Sequence, residues 1–182
     1  ILTLIIIITP LNVYGNFLKL NTPAKQVILY DHELKKVLFE KNSNDIMKPA
    51  SMAKIMTAYI VFDRLQEGSL NLDDTFVVSK NAWQKGGSRT FLKLNSEVTI
   101  RDLLMGLIVQ SGNDAAIVLA EGIAGSEEDF AIQMNQYANS LEMKNTHFTN
   151  STGWPHEDLK TTAYDLIILT EALINLSLIH IS

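Results

Sequence analysis

The chain has 182 residues, of which 47% are hydrophobic and 19% are charged, and its formal net charge is -5. This composition is that of an ordinary globular protein and excludes a disordered one. No basic run is longer than the pair Lys35-Lys36, so the electrostatic footprint of a nucleic-acid-binding protein is excluded as well. The chain contains no cysteine, which excludes disulfides and cysteine-based metal sites.

Both ends of the chain carry apolar runs that we expect to lie outside the folded domain. Residues 1–15 begin without Met and contain LTLIIIITP, a run too short to span a bilayer as a helix. We interpret them as the remnant of a secretion signal, and the alternative is a buried N-terminal strand or helix. Residues 176–182, LSLIHIS, resemble the translated end of a sequencing adapter and predict a non-native tail; the alternative is a natural apolar strand. The domain is therefore expected to span residues 16–175.

The first half of this domain predicts a hairpin, a helix and a strand. The β-prone runs at residues 26–30 and 37–40 flank a polar segment, which predicts a β-hairpin. Apolar residues at helical spacing predict a helix over 51–65, ended by Gly68. A short strand is predicted at 75–78. The Gly-Gly-Ser-Arg segment that starts at residue 86 predicts a flexible loop.

The second half predicts a helical block. Pairs of a hydroxyl residue and an aspartate three positions later predict helix N-caps at Thr99, Ser126 and Thr162. Apolar stripes follow these caps, and a further apolar helix at 114–123 ends at Gly125. A two-stranded sheet is marginal by itself, so we expect strands from a missing C-terminal part to pair with the hairpin. The predicted fold class is α+β, with a helical subdomain and an antiparallel sheet.

The first candidate catalytic group is the S-x-x-K tetrad of Ser51 and Lys54. Residues three apart on a helix share a face, and a serine at a helix start lies where free N–H groups favour negative charge. Lysine serves as a base only if its proton is easily lost, and burial by Met52, Ile55 and Met56 would favour that. The alternative is an N-capping serine with a solvated lysine.

The second candidate group is Ser111-Gly112-Asn113, a polar break between two apolar helices. The same S-x-N pattern starts at Ser69 and Ser79, but both of these lie in polar turns. A polar break inside an apolar stretch is costly unless its groups are used. The hydroxyl could relay a proton, and the amide could bind a substrate carbonyl and hold the candidate lysine. The alternative is a helix-to-helix turn with Gly112 as the C-cap.

Taken together, these motifs resemble a known family. The chain reads PASMAKIMTAY around Ser51, QSGNDAA around Ser111 and KNTHFTNSTG over 144–153. These segments resemble the low-molecular-mass D-alanyl-D-alanine carboxypeptidases, the serine peptidases similar to penicillin-binding protein 5. The segments GGSRTF and TTAYDL add to the resemblance, which covers nearly all of 25–175. S-G-N in place of S-D-N favours the carboxypeptidases over class A β-lactamases.

The resemblance implies a β-lactamase/transpeptidase-like fold and a role for each motif residue. Ser51 matches the acylated nucleophile, Lys54 its proton acceptor, Ser111 the second catalytic serine and Asn113 the substrate-binding amide. The implied substrate is the D-Ala-D-Ala end of a peptidoglycan pentapeptide, and β-lactams would be covalent inhibitors of the same serine. No metal or organic cofactor is implied. The protein would be exported to the periplasm or the outer face of the cytoplasmic membrane, with an amphipathic anchor in the missing C-terminal part.

One motif of the family is absent. No K-T-G occurs in the 182 residues, and Lys160-Thr161-Thr162 lacks the glycine and leads into a predicted helix. In the family this motif lies on a strand that supplies an oxyanion N–H, and loss of one such donor typically costs about 10²–10³ in rate. We therefore expect the full-length gene to encode an active enzyme and these residues alone to be inactive.

Other functions remain open at the level of sequence. A D,D-endopeptidase or a β-lactamase of the same fold would use the same motifs, and a non-catalytic cell-wall or β-lactam-binding module could retain them. The four histidines share no ligand spacing, so neither a metal site nor a Ser-His-Asp triad is predicted; they are His32, His147, His156 and His180.

Overall fold

The computed structural model describes residues 21–176. In chain order the elements are β1 Val27–Asp31, β2 Lys36–Lys41, a 3-10 helix Ala50–Ala53, α1 Lys54–Gln66, β3 Thr75–Val77, α2 Lys80–Gln84, β4 Glu97–Thr99, α3 Ile100–Val109, α4 Asn113–Ala124, α5 Glu127–Ser140 and α6 Ala163–Asn175. The predicted α+β class is confirmed. The predicted signal remnant, and the predicted tail beyond its first residue, lie outside the described residues.

The strands of the described chain form two separate antiparallel pairs. β1 and β2 form the predicted hairpin, whose turn is closed by a hydrogen bond from the Leu34 N–H to the Asp31 carboxylate (2.8 Å). β3 pairs with β4, a strand that was not predicted because three residues are too few to show an alternating pattern. Between residues 21 and 176 no further strand joins β1 and β2.

Helix α4 lies at the centre of the molecule. Its residues 113–120 are all buried, and it packs against α1, α2, α3 and α5. One apolar cluster joins α4 to α1 and α3, and the other joins α1 to α5 and α6. Burial of this size is the main stabilising term in a domain, so the first residues of α1 and α4 are held by the core itself.

The three predicted N-caps are confirmed. The hydroxyls of Thr99, Ser126 and Thr162 each accept a hydrogen bond from the backbone N–H three residues later, at 3.0–3.1 Å. Gly68 and Gly125 follow α1 and α4 in the left-handed conformation, as predicted for residues that end helices. Local rules of this kind therefore define where the helices begin and end.

The turn of the β1–β2 hairpin docks on α6 through an ion cluster. The Glu171 carboxylate accepts from Lys35 Nζ and contacts His32 Nδ1, both at 2.5 Å. The hydrogen bond from Lys35 lowers the pKa of Glu171, and His32 adds to this effect. The hairpin is thus tied to the last described helix across more than 130 residues of chain.

Candidate active site

Ser51 lies in a tight turn that leads into α1. The 3-10 helix Ala50–Ala53 precedes α1, so the helix predicted from Ser51 begins with a narrower turn. Ala50 has a φ of +49°, a left-handed conformation that non-glycine residues adopt at an energetic cost. The turn presents Ser51 as an exposed residue. Backbone strain next to a candidate nucleophile is typical of functional sites, where the surrounding structure enforces it.

Lys54 is buried beside Ser51. The residue is only 5% exposed, and its Nζ donates to Ser51 Oγ (3.3 Å) and to the carbonyl oxygen of Thr152 (2.9 Å). Burial lowers the pKa of Lys54 to about 8. The alternative of a solvated lysine is therefore wrong. Met52, expected to help bury the amine, is instead 41% exposed, and the chain around Thr152 covers Lys54.

The bracing segment, residues 150–154, holds the Ser51 turn from behind. Gly153 has a φ of +78°, and a Cβ placed on it would lie 1.7 Å from the Ala50 carbonyl oxygen. One residue earlier, Thr152 supplies the carbonyl that accepts from Lys54. Ser151 accepts from Thr57 Oγ1 on α1 through its own carbonyl (2.7 Å). The sequence carries only one signal of this brace, the glycine at the end of KNTHFTNSTG.

The Ser111 turn joins α3 to α4 and contains a second left-handed residue. Ser111 has a φ of +52°, whereas Gly112 has a φ of -62° and is the N-cap of α4. The alternative in which Gly112 is the helix C-cap is therefore wrong. The glycine is required by packing, because a Cβ on it would lie 2.4 Å from Thr90 Oγ1 and 3.0 Å from Asp114 Oδ1.

Asn113 is buried and tied to the anchored loop, which we define as residues 86–92. Its Nδ2 donates to the Gly86 carbonyl and its backbone N–H to the Ser88 carbonyl, both at 2.8 Å. The predicted hydrogen bond between Asn113 and Lys54 is not what the structure shows: the Lys54 amine donates to Ser51 Oγ and the Thr152 carbonyl, and the Asn113 amide nitrogen donates to the Gly86 carbonyl. The segment predicted to be flexible is instead fastened to the start of α4, and the Ser88 hydroxyl also donates to the carbonyl that ends α3.

A single groove brings three of the four predicted residues together. Ser51, Lys54 and Ser111 line a groove of about 1010 Å³ between α1 and α3. The groove walls are mostly apolar and include Ile55, Phe62, Leu104, Leu107 and Ile108. Asn113 does not line the groove, but it lies two residues after Ser111 at the start of α4.

The groove offers the chemistry of acyl transfer. A hydroxyl with a neighbouring amine of lowered pKa is an activated nucleophile. Among residues 21–176, no group of three or more His, Asp or Glu side chains is placed to hold a metal ion. In the same range, no helix is both long enough and apolar enough to cross a membrane.

Comparison with known families agrees with this chemistry. The family model described as D-alanyl-D-alanine carboxypeptidase matches residues 17–182. The chain belongs to the D-alanyl-D-alanine carboxypeptidase family. The resemblance stated from the motifs is thereby confirmed.

Members of the D-alanyl-D-alanine carboxypeptidase family share both sequence and fold with the chain. The carboxypeptidase DacF of Bacillus subtilis is 41% identical over 151 residues, which are 83% of this chain and 39% of DacF. The crystal structure of DacD from Francisella tularensis is 38% identical, with a TM-score of 0.83, covering 95% of this chain and 40% of that one. Penicillin binding protein 5 from Haemophilus influenzae is 33% identical, with a TM-score of 0.81, over 86% of this chain and 47% of that one.

These relatives confirm the predicted β-lactamase/transpeptidase-like fold. The chain spans about two fifths of the length of the curated carboxypeptidase that it matches. The described residues of this carboxypeptidase family member thus bring Ser51, Lys54 and Ser111 to one groove, with Asn113 two residues further along at the start of α4.

Proposed function

We propose that the full-length protein is a serine-type D-Ala-D-Ala carboxypeptidase. It removes the terminal D-alanine from peptidoglycan stem pentapeptides through an acyl-enzyme on Ser51, and β-lactams acylate the same serine. The observation that carries this proposal is the hydrogen bond from the buried Lys54 amine to Ser51 Oγ at 3.3 Å. The names of the relatives, which include carboxypeptidases and a penicillin binding protein, support the substrate class and the inhibitor class.

Lys54 acts as the general base in this proposal. With a pKa of about 8, roughly one lysine in ten is neutral at pH 7, against about one in three thousand at the ordinary value of 10.5. The neutral amine takes the proton of Ser51, and Ser51 Oγ forms a bond to the carbonyl carbon of the D-Ala-D-Ala peptide bond. A base positioned in this way contributes about 10²–10⁴ in rate.

Ser111 and Asn113 act on the leaving group and the substrate. The Ser111 hydroxyl passes the proton from Lys54 to the amine of the departing D-alanine as the carbon–nitrogen bond breaks. Water then hydrolyses the ester on Ser51 and regenerates the enzyme. Ser111 lines the same groove as Ser51 and Lys54, which supports the relay. The Asn113 amide, fixed at the start of α4, binds a carbonyl of the substrate backbone.

A complete site also needs the oxyanion N–H that the K-T-G strand supplies in the family. No K-T-G motif occurs in the 182 residues, and Thr162, at the end of the Lys-Thr-Thr sequence, is the N-cap of α6. We place the K-T-G strand elsewhere in the full-length protein, where it joins the β1–β2 hairpin. The 182-residue chain alone should therefore acylate slowly or not at all. Rapid penicillin acylation of this chain alone would contradict that part of the proposal.

The other candidate functions make different predictions. A non-catalytic module has no need for a buried lysine of lowered pKa, so the geometry of Lys54 argues against it. An endopeptidase would release cross-linked muropeptides, and a β-lactamase would rapidly hydrolyse the penicilloyl adduct. The peptidoglycan wall lies outside the cytoplasmic membrane, so we propose that the protein is exported to the periplasm or the outer face of that membrane.

The experiment uses the full-length protein expressed without residues 1–15. It is treated with a fluorescent penicillin, and the adduct is located by peptide mapping. We expect a stable adduct on Ser51 that is lost in Ser51→Ala, together with D-alanine release from a model pentapeptide. A folded full-length protein that forms no adduct would contradict the proposed carboxypeptidase and favour a non-catalytic binding module.

A further inference from the structure

We propose that Asp114 is a positioning residue for the substrate-binding amide of Asn113. In this assignment, which rests on the proposed function, the Asp114 carboxylate fixes the anchored loop (residues 86–92) against the start of α4. The loop in turn holds the Asn113 side chain in one orientation through the Gly86 carbonyl. Asp114 does not touch the reacting groups itself.

Asp114 is a buried carboxylate surrounded by backbone donors. The residue is 1% exposed, and its oxygens accept from the N–H groups of Thr90 (2.8 and 3.1 Å), Leu92 (3.2 Å) and Ala115 (2.9 Å). It takes part in none of the ion pairs found between residues 21 and 176. Because an isolated buried charge is costly, the N–H groups of the loop and the N-terminus of α4 are what stabilise it.

The carboxylate dictates the shape of the loop. The two loop N–H groups that it binds belong to Thr90 and Leu92, the residues on either side of Phe91. Phe91 has a φ of +61° and is 76% exposed, so burial of its ring does not offset the strained backbone. Convergence of both flanking N–H groups on one carboxylate is the interaction that enforces this turn.

The position of the anchored loop determines the position of the Asn113 side chain. The amide nitrogen of Asn113 donates to the Gly86 carbonyl and its backbone N–H to the Ser88 carbonyl, each at 2.8 Å. A Cβ on Gly87 would lie 2.7 Å from Asn113 Nδ2, so the loop backbone passes directly over the amide. A displacement of the loop therefore removes the acceptor that orients the amide and changes the space available to it.

Asp165 provides a matched control. It is also a buried carboxylate in the first turn of a helix, 2% exposed, and it accepts from the Asn145 N–H (2.9 Å) and from Thr146 Oγ1 (2.7 Å). Its partners lie outside the anchored loop and outside the groove lining. A change at Asp165 therefore perturbs stability by the same physics without reaching Asn113.

The test measures penicillin acylation rates and the kcat and KM of D-alanine release in the full-length protein. Asp114→Asn keeps the shape but turns one acceptor oxygen into a donor that faces the loop N–H groups. We expect acylation about 10–100-fold slower, with KM raised, because small misplacements of a binding group have effects of this size. Asp165→Asn should leave the acylation rate of the folded protein unchanged. The double variant Asp114→Asn/Asn113→Ala should be no slower than Asn113→Ala alone.

Ser88→Ala keeps the proposal testable if Asp114→Asn does not fold. Ser88 is exposed and ties the same loop to the Gln110 carbonyl, so its loss loosens the loop without disturbing the core. We expect a smaller decrease in acylation, again absent in the Asn113→Ala background. Multiplicative effects in the double variants, or equal rates for Asp114→Asn and Asp165→Asn, would overturn the positioning role while leaving Ser51 acylation intact. An unreactive wild type would overturn the proposed function and this role together.

Discussion

The Ser51 turn and the Ser111 turn both have a strained backbone, but different kinds of contact hold them in place. Each places a serine before a helix, and each contains a left-handed non-glycine residue, Ala50 in the first and Ser111 in the second. The first turn is braced by backbone atoms of residues 150–154, which follow it by about a hundred positions. The second is braced largely by side chains of the residues that follow it, Asn113 and Asp114. The backbone contact behind Ser51 requires a residue without a side chain at Gly153, whereas the contacts beside Ser111 require the hydrogen-bonding groups of Asn113 and Asp114.

The largest expected effect is on acylation and not on stability, and it comes from replacing Lys54. In the full-length protein, Lys54→Met removes the proposed base and a buried amine at the same time. Acylation by penicillin should fall by about 10²–10⁴. The melting temperature should not fall substantially, because the desolvation that lowers the pKa of Lys54 also opposes folding. Thermal denaturation and acylation kinetics, measured on the same sample, check both parts; retained acylation would exclude Lys54 as the base.

The second prediction concerns the contact between Gly153 and Ala50 that braces the Ser51 turn. In Gly153→Ala the added Cβ would meet the Ala50 carbonyl, and the residue would keep an unfavourable positive φ. We expect a loss of about 3 kcal/mol in the free energy of unfolding and an acylation rate about 100-fold lower in the fraction that folds.

Gly125→Ala is the matched control for this brace. Gly125 also has a positive φ, +87°, but its Cβ would meet no atom within 4 Å. It should cost about 1 kcal/mol and leave acylation unchanged. If the two variants acylate at the same rate, the brace does not shape the Ser51 turn.

The third effect is a pH dependence confined to the Ser51 turn. The pKa of Lys54 is lowered, so the neutral, reactive form disappears as the pH falls below about 8. Acylation should decrease about tenfold per pH unit between 8 and 6 and level off above 8. Since the unfolded lysine binds its proton up to its ordinary pKa of 10.5, this group also makes the fold more stable as the pH rises from about 8. A profile that is flat from pH 6 to 9 would contradict the assignment.

The smallest effect concerns the Ser111 turn. Gly112→Ala places a Cβ against the Thr90 hydroxyl, a side-chain atom that can move more readily than a backbone carbonyl. We expect acylation to fall by roughly three- to tenfold, through displacement of the anchored loop. Gly122→Ala, whose Cβ would meet the partly buried Phe76 ring that packs against the core, should lower the melting temperature and spare acylation. A larger loss of acylation in Gly122→Ala than in Gly112→Ala would contradict the claim that the Ser111 turn shapes the site.

Sequence reasoning succeeded where the interactions are local. The spacing of Ser51 and Lys54 predicts their proximity because residues three apart on a helical turn lie on the same side. The N-caps at Thr99, Ser126 and Thr162 follow from the same kind of short-range rule. The α+β class follows from the order of periodic segments.

Sequence reasoning failed where a distant residue decides the local conformation. The Gly-Gly-Ser run predicted a flexible loop, but Asn113 bonds to Gly86 and Ser88 within it, and the carboxylate of Asp114 anchors the residues that follow from 22–24 positions away. The brace at Thr152 acts through a carbonyl, a group present in every residue and therefore without a signature in the sequence. Ser111, rather than its neighbouring glycine, adopts the left-handed conformation, whereas Gly112 is a glycine because Thr90 occupies the space where its Cβ would lie.

The distance along the chain between Lys54 and its brace has a consequence for the timing of maturation. Lys54 and Thr152 are 98 residues apart, so the contact forms only after a long loop has closed. Until then nothing covers the amine, and the lysine retains an ordinary pKa and remains protonated. In an unfolded chain Ser51 therefore has no neutral lysine beside it to accept its proton, and it is unreactive. The lowered pKa of Lys54, and with it the proposed reactivity of Ser51, belongs to the folded chain alone.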